Sequence, residues 1–66
     1  MKVKINGQEK DLNGSSTLKK AIEQFSKDTS RIIAEVNGKI IKGNQWEQTF
    51  INDGDTIELV SFVGGG

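Results

Sequence analysis

Two Asn-Gly hairpin signals, at residues 6–7 and 37–38, one short amphipathic helix and a length of 66 residues predict an α+β domain. Its expected form is a mixed sheet of four to five strands packed on a single helix. Asn-Gly between apolar runs marks a hairpin, because both central positions of a type I′ turn need positive φ. A helix with one apolar stripe, in so short a chain, can bury that stripe only against one face of a sheet.

Met1 to Ile5 alternates apolar and charged residues, the period of a half-buried strand. Asn6-Gly7 turns it, and Gln8 to Leu12 returns antiparallel. Asn13 to Ser16 reads as a loop, with Ser15 or Ser16 placed to cap a helix. Leu18, Ala21, Ile22 and Phe25 then recur at helical spacing, so a helix is expected from about Thr17 to Lys27 with these four in the core. Lys19–Glu23 and Glu23–Lys27 are i,i+4 ion-pair positions on its other face. Ile32 to Val36 is β-branched and apolar, a buried strand. Asn37-Gly38 turns it into Lys39-Ile40-Ile41. Gln45 to Gln48 suits one short turn of helix, with Trp46 plugging the side of the core, and Thr49 to Ile51 is a brief extended piece. Asn52 to Asp55 is a turn cluster with Asp53-Gly54 at its tip, and the last strand runs from about Thr56 to Val63.

That order leaves the first and last strands free to pair in parallel at the centre of the sheet, which is the β-grasp, or ubiquitin-like, arrangement. Residues 1–63 form one domain in this reading, and residues 64–66 a flexible glycine tail. In the final strand Ile57 and Leu59 point one way and Glu58, Val60 and Phe62 the other. With Ile57 and Leu59 in the core, Val60 and Phe62 lie outside, just before the tail, as a docking surface. The alternative is that Phe62 folds back to cover the sheet.

Composition excludes several kinds of work. Nine basic and nine acidic residues cancel, leaving no electrostatic footprint for nucleic acid or an anionic membrane. The chain has no Cys, hence no thiol nucleophile or disulfide, and no His, the usual acid–base group near neutral pH. No run is apolar enough for a signal peptide or membrane span, which fits the cytoplasm. A domain this small has no room for both a core and a deep substrate cavity. Its carboxylates fall on polar faces or in turns; Asp53 and Asp55 resemble a metal pair but have too few companions, so no catalytic residue and no metal site is expected.

What remains is Gly64-Gly65-Gly66. Glycines without Cβ can enter a channel that excludes any side chain. A frayed terminus or an expression remnant would look the same from the tail alone. A terminal carboxylate on Gly66 would be ionised and a poor electrophile until activated, for instance as a mixed anhydride with AMP. Nothing in the chain can perform that step, so the protein would be the substrate of a separate nucleotide-dependent enzyme.

Met1 to Gly7, Val36 to Ile41, Trp46-Glu47, Asn52 to Val60 and Phe62 to Gly66 together resemble the ThiS family of sulfur carriers of thiamine biosynthesis. The resemblance implies that Gly66 is adenylated by a ThiF-like adenylyltransferase, which uses ATP, and is then converted to a thiocarboxylate. The sulfur would come from cysteine through a source such as a cysteine desulfurase, and the thiocarboxylate would donate it to thiazole synthase. Gly65 and Gly66 match the family diglycine; Gly64 is an additional glycine beside it, and all three would be recognised by the partner enzymes. No permanently bound cofactor is implied. Rival readings are the small subunit of molybdopterin synthase, carriers for other thiolation pathways, a ubiquitin-like protein modifier, and a plain interaction module.

Overall fold

The computed structural model describes residues 1–12 and 16–62. Its elements are β1 (Lys2–Ile5), β2 (Gln8–Asp11), α1 (Leu18–Phe25), β3 (Ile32–Val36), β4 (Lys39–Ile41), a 3₁₀ helix (Gly43–Gln48) and β5 (Thr56–Ser61). The strands make one sheet in the order β2-β1-β5-β3-β4. β1 and β5 are parallel, with Lys4 opposite Thr56 and Ile5 opposite Ile57, and the other pairings are antiparallel. This is the expected β-grasp, with β5 at the centre.

Both hairpins have the predicted turns: φ is 52° at Asn6 and Asn37, 80° at Gly7 and 84° at Gly38. The two asparagines also do something that the turn signal does not announce. The Asn6 backbone N–H donates to the Ile57 carbonyl, and its side-chain oxygen accepts from Leu59 N–H at 2.8 Å. Asn37 donates its backbone N–H to the Thr56 carbonyl, and its side-chain oxygen accepts from Thr56 N–H at 3.0 Å. Its amide NH₂ then donates to the buried Asp55 at 2.9 Å. Each hairpin is thereby tied by its turn to the central strand.

Asp53 and Asp55 are structural, as expected. Lys2 N–H donates to Asp53 at 2.7 Å, and Asn52 N–H donates to Asp55 at 2.8 Å. Among the described residues, no three acidic side chains gather as metal ligands.

The core lies between α1 and the inner sheet face. Leu18, Ala21 and Ile22 pack in one cluster with Val3, Ile5, Ile57 and Leu59. Trp46 seals one side, and its indole N–H donates to the Ile41 carbonyl at 3.0 Å.

Four expectations are corrected. The helix cap is Thr17, whose hydroxyl accepts from Lys20 N–H; the Ser16 carbonyl is taken by Ile51 N–H, and Ser15 lies outside the described residues. The helix stops at Phe25, because Ser26 to Ser30 bond locally instead: the Ser30 hydroxyl and backbone N–H both donate to Asp28. Those two bonds hold the Asp28 carboxyl below its ordinary range. Phe25, expected in the core, is 49% exposed: it sits in the final turn and overhangs an open groove toward β2, beside Ile5, Leu12 and Gln24. The expected pairs of Glu23 are not made; Lys19 instead meets Glu47 of the 3₁₀ helix at 3.6 Å.

Residues 13–15 of the expected loop at 13–16 lie outside the described residues, as do Val63 and the expected glycine tail at 64–66.

Candidate functional site

Side chains alternate along β5 as its sequence requires. Ile57 and Leu59 are buried; Glu58 and Val60 face out. The antiparallel register sets Ile33 opposite Val60 and Glu35 opposite Glu58, and β4 sets Ile40 opposite Glu35. Phe62 keeps the parity of Val60, and its N–H donates to the Arg31 carbonyl at 2.9 Å, which carries the β3–β5 ladder one step further.

The helix covers the other side of the sheet, so this outer face carries an apolar patch open to solvent. Ile33 is 44% exposed, Ile40 64%, Val60 57% and Phe62 45%. Val60 and Phe62 are thus where the sequence placed them, and Phe62 is not folded into the core. Ile33 and Ile40 were missed. The run Ile32 to Val36 looks buried on both faces, and only the pairing with β5 shows that Ile33 belongs to the outer one.

The described residues offer little for catalysis. Two depressions among them, about 270 and 320 Å³, are open and at the low end of what encloses a small molecule. No buried side-chain polar atom among them lacks a partner. No helix among them is long and apolar enough to cross a membrane. The arrangement offers an apolar surface at the end of the central strand, with residues 63–66 following directly from it. Gly64, Gly65 and Gly66 themselves lie outside the described residues.

The ThiS family model matches residues 3–66. The chain belongs to the ThiS family. The match takes in all of the sheet but Lys2, together with the terminal glycines. The sulfur carrier protein ThiS of Escherichia coli (strain K12) is 27% identical over 66 residues, covering all of both chains. A thiazole synthase of Paramagnetospirillum magneticum (strain ATCC 700264 / AMB-1) is 35% identical over 66 residues, and the chain spans 20% of that protein's length. Among solved structures, the crystal structure of the thiamine biosynthesis protein ThiS from Geobacter metallireducens superposes with a TM-score of 0.85 at 25% identity, over all of both chains.

Proposed function

We propose that this ThiS-family protein carries sulfur for thiamine biosynthesis on the carboxyl group of Gly66. A ThiF-like adenylyltransferase joins that carboxylate to the α-phosphate of ATP and releases pyrophosphate. A sulfur nucleophile then attacks the acyl carbon and expels AMP. Hydrosulfide leaves a thiocarboxylate directly; a persulfide from a cysteine desulfurase leaves an acyl persulfide, which a second thiol must reduce. The thiocarboxylate hands its sulfur to thiazole synthase, and the carboxylate returns. The chain contributes no acid, base or metal to these steps. It contributes a body to grip and a tail that fits where side chains do not.

The observation that carries this reading is the family match, which runs through the glycines to residue 66. The geometry of the outer face adds support. Residues 63–66 span at most about 14 Å fully extended, so an enzyme that encloses Gly66 must come close to Phe62 and Val60. Gly64 and Gly65 then lie in the channel, and Val60 and Phe62 against its rim.

Intact-mass measurement tests the reading on protein incubated with the cognate adenylyltransferase, ATP and a sulfur source. A gain equal to one sulfur-for-oxygen exchange, mapped to Gly66, supports it. Covalent adducts through lysines of other proteins would favour a modifier, and an unchanged mass overturns the proposal. Transfer of labelled sulfur to thiazole synthase, rather than to molybdopterin synthase, assigns the pathway.

A further inference from the structure

Glu35 and Glu58 stand directly opposite each other on the outer face, across β3 and β5. Side chains so paired have Cβ atoms about 4.5–5.5 Å apart, and like charges there destabilise the sheet. The chain does not cure this repulsion. All nine of its Lys and Arg side chains lie among the described residues, whose ion pairs are Met1 N-terminus with Asp11 and Lys19 with Glu47. By register Lys4, opposite Thr56, is only a diagonal neighbour of Glu58. Lys42, one step past the Ala34–Ile41 pair, is only a diagonal neighbour of Glu35.

The acidic pair sits inside the apolar patch, with Ile33 and Val60 on one side and Ile40 across β4. A partner that covers those three side chains must also take both carboxylates out of water. Burying unpaired carboxylates is costly, and the cost is offset only if the partner brings a cation. A second copy docked face to face would bring two more carboxylates instead. The repulsion in the free protein and the apolar patch around it therefore call for the same occupant.

We propose that this face seats the adenylating enzyme, and that the enzyme meets the Glu35–Glu58 pair with a Lys or Arg set among apolar side chains. The proposal rests on the reading of Gly66 as the activated residue, whose short connection to Phe62 brings that enzyme against this face. The acidic pair costs the free carrier stability and gives the complex its charge match.

The test is steady-state pyrophosphate release by the cognate adenylating enzyme with ATP, at varied carrier concentration. Wild type, Glu58→Lys and Glu58→Gln are compared, each with its melting temperature. The expected result for Glu58→Lys is a KM raised by at least about 30-fold with kcat at saturation within about 2-fold. Its melting temperature should rise by roughly 2–5 °C, because the new Lys faces Glu35. Glu58→Gln should raise KM by about 3–10-fold and flatten its dependence on salt. A KM for Glu58→Lys within about 2-fold of wild type overturns the proposal. So does a raised KM accompanied by a lowered melting temperature, which would mark Glu58 as structural. If wild type itself releases no pyrophosphate, the carrier reading falls and this proposal with it; if wild type and Glu58→Lys react alike, the docking proposal alone falls.

Discussion

Asn37 joins more of the fold than its place in a surface turn suggests. It supplies the positive φ of the hairpin, closes a two-bond ring with Thr56, and gives the buried Asp55 a donor. Asn37→Ala removes that donor and leaves a buried carboxylate oxygen unpaired, which should cost about 1–3 kcal/mol in urea unfolding. Asn37→Asp keeps an acceptor for Thr56 but sets a second carboxylate against Asp55, and its loss should be no smaller. Phe62 is the opposite case. It is nearly half exposed and closes no part of the core. Phe62→Ala should therefore weaken association with the adenylating enzyme, by about 1–2 kcal/mol in titration calorimetry, while the melting temperature moves little. A large fall in melting temperature with binding intact would make Phe62 a core residue.

Elements were legible where a local rule acts alone. Asn-Gly with apolar flanks gave both hairpins, and strict alternation gave the faces of β5. Competition between neighbours hid the rest. Three hydroxyl residues precede the helix, and local propensity does not choose among them. Tertiary bonding does: Ile51 takes the Ser16 carbonyl, and Thr17 becomes the cap. Thr17→Ala should cost about 0.5–2 kcal/mol, read as a lowered urea midpoint with an unchanged slope. Phe25 fits the period of the stripe, yet the helix ends with it, so its side chain reaches past the packed region toward β2. Glu23 had suitable neighbours on its own helix, but Lys19 turns instead to Glu47, which is near only after folding. Ile33 could be assigned to a face only through its partner strand. Apart from Phe25, whose helix ends at the local Ser30–Asp28 bonds, these misses share one cause: each depends on a residue distant in sequence.

In the whole molecule, the core and the exposed apolar patch occupy opposite sides of one sheet. The helix side holds the core; the other side holds Ile33, Ile40, Val60 and the two facing carboxylates. The part of the exposed patch on β5 was readable from sequence, because its parity follows from Ile57 and Leu59. The part on β3 and β4 was not, since it exists only through strand order. Deleting Gly66 should leave the melting temperature unchanged and abolish sulfur transfer, as measured by thiocarboxylate formation; transfer at the wild-type rate after that deletion would defeat the carrier reading.

The alternation along β5 has an evolutionary corollary. Because neighbouring positions serve opposite sides, one residue inserted between Ile57 and Val60 would turn Val60 and Phe62 inward and lose both the interior and the outer apolar patch at once. Lineages descended from this sequence should therefore hold that segment to a constant number of residues.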